Sequence, residues 1–577
     1  MIRKKVILLK ANYRFGQLPD VYRKRYPFPA HWRHSTTAPV GKLVPLPPKE
    51  VLPGSTWSIN MSDLVQLSST FIRPIMDDVY IDTYAFFVPL RILYDDFEKV
   101  FGNPSPSQYT SPSFALLPRM EGNEGSGGFV LNVPVGTVLD HLGLPTFADL
   151  AGSQYSALPA RANAFIWNEF FANQNVDQQV SFNKDLDTDG ENPNSLPWSP
   201  TNYTGQLPPV SRFMDYFSTL QLSPQKGPAV RIPGFVSDFP VFATSSSNSL
   251  NNIGVSATSL GFYNATPSID VNNKALGLFG SGNSFVTKAG TQETIQDSGA
   301  RLIVNNLHAF PNFQSDATIS SLRTAFQIQK YYERDAVFGS RYREYLYASY
   351  GVTSDDASLQ IPQFLAHGHH RLDITSVAST SDAVSGDSQT YPVGQFAGSS
   401  RTAGKQLSFT KSFTEHGYLF FCFAIRYKHL YSQGIDKLWK RYSRTDFYDP
   451  LFANISQQAV MLDELWGEAV SGSTMPNDFV LGYQDAWSEY RTFQSSVSGQ
   501  MRPNPTSDGL GKYWSLADFY TAQPSLSDLI HETQEPWDRV LSVSTSVQDP
   551  FIIDFDFKGV VSMVVPYSSI PGYADHH

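Results

Sequence analysis

Residues 417–427 read GYLFFCFAIRY, a run that is apolar at nearly every position. A strand with one face in water alternates between apolar and polar residues, so this unbroken run predicts a central strand that is covered on both faces. The sequence VYIDTYAFFV at 79–88 is rich in β-branched and aromatic residues and also predicts a strand. The core of this chain is therefore expected to be built around β-sheet.

Two further segments alternate as strands with one wet face do. They are LSFTKSF at 407–413 and the Ile553–Lys558 part of PFIIDFDFKGVVSMVV at 550–565. Helical patterns lie between the outer strands, at 91–101, 161–174, 320–336 and 341–350, with the last expected to end at Gly351. Strands near both ends of the chain, separated by helices and long excursions, indicate an antiparallel β-barrel or sandwich.

Two segments of unusual composition are expected to lie outside the regular sheets. The proline-rich run PVGKLVPLPPKEVLP at 39–53 predicts an extended segment without regular ladder pairing. Residues 241–300 contain 10 Ser, 7 Asn, 7 Gly and 6 Thr and only five charged residues. Such a segment cannot bury much apolar area, so it predicts a surface insertion of turns and short strands.

Charge is distributed unevenly along the 577 residues. Residues 1–34 hold nine basic side chains and one acid and so carry +8; because the whole chain carries −10, the remainder carries −18. Aromatic residues alternate with the cations in this arm and again in 428–444, a pattern typical of single-stranded nucleic-acid contact. The alternatives are a solvated tail for the arm and, for 428–444, a loop that pairs with acids of a neighbouring subunit.

Charged residues make up only 17% of the chain, whereas aromatic residues make up 14%. Both values indicate a chain that hides much of its surface against neighbours, which is not typical of a freely diffusing enzyme. No GxGxxG after a strand, GxxxxGK[ST], GxSxG or HExxH motif is present. The sequence therefore predicts neither a catalytic site nor a cofactor.

Smaller clusters of reactive side chains favour structural roles. The HGHH sequence at 367–370 indicates a polar loop rather than a metal site, since one short segment cannot surround a metal ion. Asp554 and Asp556 share a strand face but have no acid–base partner nearby in the sequence. Cys422 is the single cysteine and is expected to be a buried hydrophobe. No stretch is long enough to predict a signal peptide or a membrane span, so we expect folding in a reducing cytoplasm.

Five segments resemble, in order, the major capsid protein of the Microviridae, specifically its gokushovirus branch of small single-stranded DNA bacteriophages. They are FFVPLRILYDDFEKVFG (86–102), LPARANAFIWNEFF (158–171), DYFSTLQLSPQKGPAV (215–230), LRTAFQIQKYYERDAVFGSRYREYLYASYGVTSDDASLQIPQFL (322–365) and GYQDAWSEYR (482–491). The resemblance implies an eight-stranded antiparallel jelly roll with long loop insertions and a few short helices. It would span residues 51–577 behind a basic, proline-rich arm (1–50), with a surface insertion at 228–300.

The resemblance also implies a function. Sixty copies would form a T=1 icosahedral shell around circular single-stranded DNA, assembled in the bacterial cytoplasm. The partners would be other copies of the chain, the DNA, a small basic internal protein, a minor pilot or spike protein and a host receptor that meets a protrusion on the three-fold axes. Two alternatives stay open: an extracellular carbohydrate-active β-protein, and a single-strand DNA-binding protein that forms no shell.

The candidate residues follow from these expectations. For DNA contact they are Arg14, Arg23, Lys24, Arg25, Arg33, Lys437, Trp439, Lys440, Arg441 and Arg444. For host contact they are Asn248, Asn251, Tyr263, Asn272, Phe279 and Asn283.

Overall fold

The computed structural model describes residues 24–101, 116–120, 133–146, 155–185, 194–230, 319–380, 394–467, 479–504 and 509–568, and only short strands between those ranges. The chain divides into two compact units, which are Met1–Pro224 with Val337–His577, and Gln225–Ala336.

Ten strands of the first unit form two antiparallel sheets. These strands are β1 (Tyr26–Ala38), β2 (Val44–Pro45), β3 (Lys49–Val51), β4 (Thr56–Leu67), β5 (Val79–Pro89), β6 (Gln363–Arg371), β7 (Ile374–Ala378), β8 (Phe396–Ser412), β9 (Gly417–Tyr427) and β10 (Phe551–Met563). The first sheet has the order β1-β10-β4-β8-β7. The second has the order β6-β5-β9-β2, and β3 also pairs with β9. The prediction of a mainly antiparallel β-protein is therefore confirmed.

The two sheets face each other across one apolar core. Alternate residues of β10 point into it, so that the ring of Phe557 lies 4.8 Å from Phe421 and that of Phe555 lies 5.0 Å from Phe423. These four side chains are at most 2% exposed. One aromatic side chain buries about 150–250 Å², so such pairs contribute most of the hydrophobic free energy that stabilises the core.

The outer face of the second sheet is covered by a helix, Leu158–Ile166, which continues as a π-helical turn at Trp167–Phe171. Phe420 and Cys422 of β9 point to this side and are buried with Ile166 and Trp167. The strand predicted to be covered on both faces is thus confirmed, and Cys422 is buried as expected.

The other regular elements of the first unit are short. Its α-helices are Phe97–Phe101, Val138–His141, Tyr342–Tyr350, Gly511–Trp514, Leu526–Ile530 and Glu535–Val540. Its 3-10 turns are Leu90–Ile92, Lys437–Lys440, Arg444–Asp446, Pro450–Phe452, Leu462–Glu464, Ser488–Tyr490 and Gly499–Met501. Its short strands are Arg119–Met120, Glu124–Gly125, Gly128–Phe129, Tyr155–Ser156, Thr188–Asp189, Ala383–Val384, Thr390–Tyr391, Gln457–Met461 and Val480–Asp485.

The second unit contains short strands and most of one long helix. The strands are Val241–Ala243, Phe262–Asn264, Leu276–Gly277, Phe285–Thr287, Gln292–Glu293, Leu302–Val304 and Leu307–Ala309. The helix is Ile319–Phe338, whose last two residues belong to the first unit. Short strands were expected for 241–300, and the rest of that segment lies outside the described residues. None of the described helices combines the length and the apolar character needed to cross a membrane.

Three local expectations differ from the structure. The proline-rich run 39–53 was predicted to lack ladder pairing, but Val44–Pro45 and Lys49–Val51 both pair with β9. Proline fits there because β2 is an edge strand, where one backbone N–H needs no partner. The HGHH sequence lies in β6 and not in a loop, paired with β5. Within the predicted arm, Tyr26–Ala38 is a sheet strand paired with β10 along its whole length.

Candidate functional site

The predicted basic patch lies in the long connection between β9 and β10, where three of its cations face acids of the same chain. The ammonium of Lys437 lies 3.8 Å from the carboxylates of both Glu464 and Glu489. Lys440 pairs with the buried carboxylate of Asp463. The guanidinium of Arg441 lies 3.4 Å from an oxygen of Glu489. These cations are therefore largely neutralised within the chain.

Backbone contacts explain why the patch lies against these acids. The N–H of Ile435 donates to the carbonyl of Asp463 at 2.9 Å, and that of Gly467 donates to the carbonyl of Gln433 at 3.0 Å. Between them, Gly434 approaches Glu464 so closely that a Cβ atom would lie 1.9 Å from its carbonyl oxygen. A side chain at position 434 would therefore push the two segments apart.

The same ion pairs leave a set of aromatic side chains facing away from the protein. Residues 438–452 and 487–493, here called the aromatic platform, carry seven exposed aromatic side chains: Trp439, Tyr442, Phe447, Tyr448, Phe452, Tyr490 and Phe493. Tyr442 is 88% exposed and Phe493 is 93% exposed.

The two segments of the platform are joined by ring contacts. The guanidinium of Arg441 lies 4.6 Å above the ring of Tyr490. The ring of Tyr448 lies 5.6 Å from that of Trp487, whose Nε1 donates to the carbonyl of Phe452 at 3.0 Å. A cation stacked on one segment and rings packed across both hold the platform as one surface.

A buried charge network lies at the base of the same connection. His429 Nδ1 lies 2.9 Å from Asp518 Oδ1, and its Nε2 lies 2.6 Å from Glu532 Oε1. The guanidinium of Arg212 donates to the other oxygen of Asp518 at 2.7 Å. Burial alone lowers the pKa of His429, but the two carboxylates outweigh it and raise the pKa to about 9.

The pKa of Asp518 is shifted in the opposite direction. Burial acts to raise its pKa, but His429 and Arg212 hold it below its usual range. The network thus contains two cations and two carboxylates without any net charge, as a buried ionic cluster requires. Sequence analysis missed it because its members are far apart in the chain and no local pattern marks them.

The cations of the arm are described only in part. Arg33 on β1 is exposed and donates from Nε to Asp554 Oδ1 of β10 at 2.5 Å. This hydrogen bond holds the pKa of Asp554 below its usual value. Lys24 lies 5.1 Å above the ring of Tyr26. Arg25 is also described, whereas Arg14 and Arg23 lie outside the described residues.

The remaining candidates are placed as follows. Arg444 is exposed and begins a 3-10 turn, and Trp439 is 71% exposed on the platform. Of the host-contact candidates, Tyr263 belongs to the short strand Phe262–Asn264. Asn248, Asn251, Asn272, Phe279 and Asn283 lie outside the described residues.

The histidines of β6 face a buried carboxylate rather than one another. His369 Nδ1 lies 2.5 Å from Asp82 Oδ1, and the Nε of Arg426 donates to the other oxygen of Asp82 at 2.8 Å. Among the described residues, no three His, Cys, Asp or Glu side chains are grouped so that they could hold a metal ion. His367 and His369 thus face Asp82 of the paired strand β5, whereas His370 faces Asp63 of β4.

Comparison with known proteins gives consistent matches along the chain. A family model described as "Capsid protein (F protein)" matches residues 16–573. The capsid protein VP1 of Bdellovibrio phage phiMH2K is 32% identical over 563 residues, which is 96% of both chains. VP1 of Spiroplasma virus 4 is 33% identical over 548 residues, 92% of both chains. VP1 of Chlamydia phage 1 is 29% identical over 601 residues, 97% of both chains.

Proposed function

This chain belongs to the F-type capsid proteins of the Microviridae, and we propose that sixty copies of it close into a T=1 icosahedral shell around circular single-stranded DNA. The family consists of structural proteins, so the chain is a virion component and not an enzyme. The alternative of a carbohydrate-active protein is therefore excluded. The number of copies, the packaged DNA and the contacts with other molecules are the proposal.

The assembly proposal rests mainly on a helix that buries none of its residues in the subunit. In Tyr342–Tyr350 no residue is buried, and Tyr342, Tyr347 and Tyr350 are exposed. The helix that precedes it in the chain, Ile319–Phe338, likewise has no buried residue. Short helices gain most of their stability from a packed apolar face. In a shell, adjacent subunits supply that packing, and tyrosine is enriched at such interfaces.

We further propose that the two sheets are the halves of an eight-stranded jelly roll. If β2 and β3 count as one interrupted strand and β7 as an additional edge strand, eight strands remain in chain order. The first sheet then has the order 1-8-3-6 and the second the order 5-4-7-2. This alternation between sheets is the arrangement of two Greek keys, which supports the jelly roll that the family implies.

The uneven charge of the chain supports the proposal that the arm and a separate basic protein neutralise the DNA together. Because the body of the chain is acidic, we assign DNA contact to the arm, with Arg14, Arg23, Lys24 and Arg25 among its cations. Arg33 contributes less, since it already pairs with Asp554. A small basic internal protein would neutralise the rest of the genome. Lys437, Lys440 and Arg441 contribute less to DNA contact, since acids of the same chain already balance them.

The insertion at 228–300 is proposed as the protrusion that meets the host receptor on the three-fold axes. Its low charge and its surplus of Ser, Asn, Gly and Thr suit a solvent-facing excursion. A minor pilot or spike protein completes the particle, which assembles in the bacterial cytoplasm. Electron microscopy of the purified chain, together with measurement of the DNA in the particles, tests this function. Closed particles of one diameter that contain single-stranded DNA are expected, whereas monomers that bind single strands would support the remaining alternative.

A further inference from the structure

We infer that the aromatic platform (438–452 and 487–493) is a contact surface for a second copy of this chain. The inference rests on the proposed shell. It identifies one surface through which the subunits of that shell contact each other. It concerns the segment for which sequence analysis left both DNA and a neighbouring subunit open as partners, and it chooses the subunit.

The exposed area of the platform matches what one partner contributes to a stable interface. Its seven aromatic side chains are between 41% and 93% exposed. At 150–250 Å² per aromatic side chain, this corresponds to roughly 900 Å² of aromatic surface in contact with water. A standard protein interface takes about 800 Å² from each partner, whereas the largest apolar patch of a typical monomer is about 300–600 Å².

The charges of the platform favour protein over nucleic acid. Single-strand binding needs cations that are free to replace the counterions of the phosphates. Here Lys437, Lys440 and Arg441 pair with Glu464, Asp463 and Glu489. Apart from the exposed Arg444, what these pairs leave outward is mostly aromatic and aliphatic, such as Tyr442 and Leu451, which are 88% and 87% exposed. Exposed aromatic residues beside arginine are typical of the centre of a protein interface.

The platform is also held in place before any partner arrives. Gly434 lets the chain approach Glu464 closely, and the N–H of Ile435 bonds to the carbonyl of Asp463 at 2.9 Å. The 3-10 turn Lys437–Lys440 is capped by Asp436, whose side chain accepts from the N–H of Leu438 at 2.8 Å. A surface that is ordered in advance loses less conformational entropy on binding.

The single cysteine makes a direct test possible. Cys422 is buried, and burial raises the pKa of its thiol, so we expect it not to react with maleimide in the folded chain. We would prepare Tyr442→Cys and Phe493→Cys, with Val547→Cys as the matched control, since Val547 is 76% exposed and lies outside the platform. Maleimide labelling is measured on free subunits, on empty particles and on DNA-filled particles.

The inference predicts that both platform cysteines react at least tenfold more slowly in empty and in DNA-filled particles than in free subunits. Their protection should also exceed that of the Val547→Cys control. Equal reactivity in particles and subunits would overturn the inference while leaving the shell itself intact. Protection in DNA-filled particles alone would also overturn it and would assign the platform to DNA.

A second measurement uses assembly itself. Leu451→Glu places a charge on the platform and should raise the subunit concentration needed for particles at least tenfold, while Val547→Glu should not. Unchanged assembly of Leu451→Glu would contradict the inference. If the unaltered chain formed no particles at any concentration, the proposed function would fail first and the inference with it.

Discussion

His429 and Glu532 meet in the interior of the protein, with Nε2 of the imidazole 2.6 Å from Oε1 of the carboxylate, although 103 residues separate them. His429 follows β9 almost directly, and Glu532 precedes β10. Their contact therefore closes the base of the long connection that carries the aromatic platform. Asp518 and Arg212 complete the network on the other side of the imidazole.

This network predicts a stability that depends on pH. The pKa of His429 is raised from 6.5 to about 9, so the contribution of its charge is fully present below pH 6.5 and is lost as the pH rises through 9. At ~1.4 kcal/mol per unit of pKa shift, the free energy of unfolding of the subunit should fall by a few kcal/mol over this range. Urea denaturation between pH 6 and 9.5 measures it.

The matched variant is His429→Gln, which keeps hydrogen-bonding groups but cannot be charged. It should unfold more easily at pH 6.5, by about 3–5 kcal/mol, because two buried carboxylates lose a cation. Its stability should change little between pH 6.5 and 9. The same slope in the variant as in the unaltered chain would show that another group causes the pH dependence.

Gly434→Ala tests whether the close approach of Gly434 to Glu464 holds the platform in place. Because its Cβ would lie 1.9 Å from the carbonyl oxygen of Glu464, the backbone must shift, at a cost of about 1–3 kcal/mol. We expect a lower urea midpoint and slower particle assembly, measured by light scattering. Ser432→Ala is the control in the same segment and should change neither quantity. An unaltered midpoint in Gly434→Ala would mean that the close approach is not maintained in solution.

Replacing Arg23, Lys24 and Arg25 with Ser tests the arm. If the arm contacts DNA, the particles should contain less DNA per protein, while the yield of shells changes little. Absorbance at 260 and 280 nm, with quantification of the extracted DNA, measures this ratio. The control removes three exposed cations of the body, Lys99, Lys411 and Arg502, and should leave the DNA content near that of the unaltered particle. Equal DNA content in both variants would remove the arm from the DNA-contact residues.

Deleting residues 244–298 and joining the ends tests the protrusion. Since the segment is proposed to project from the shell and not to form it, particles of normal diameter should still assemble. Adsorption to host cells should be abolished, measured as unbound particles after centrifugation of the cells. Soluble, unassembled protein after the deletion would contradict a projecting role.

Local patterns predicted the central strands well. The segment 417–427 coincides with β9, and 79–88 differs from β5 by one residue. The helix predicted for 341–350 is observed as Tyr342–Tyr350 and ends at Gly351 in the left-handed conformation, with φ of 65°. The sequence pattern of these elements is strong, so their own residues determine their secondary structure.

The elements that sequence analysis missed depend on distant partners. β1 shows a signal that could have been found: Tyr26, Phe28 and Trp32 lie on one face of an alternating strand, and Trp32 stacks on Phe557 at 4.5 Å. The nine cations of residues 1–34 suggested a basic arm instead. The acids that balance Lys437 and Lys440 lie more than 20 residues further along the chain, so the basic segment looked free. Contacts of this kind follow from the fold and not from local sequence.

The mass of the assembled particle tests the central claim most directly. Sixty copies of the 64.3 kDa chain amount to about 3.9 MDa of protein. Charge-detection mass spectrometry of particles emptied of DNA should give one narrow peak at this mass. A chain that stays monomeric at high concentration, or that forms open aggregates without a defined mass, would contradict the account.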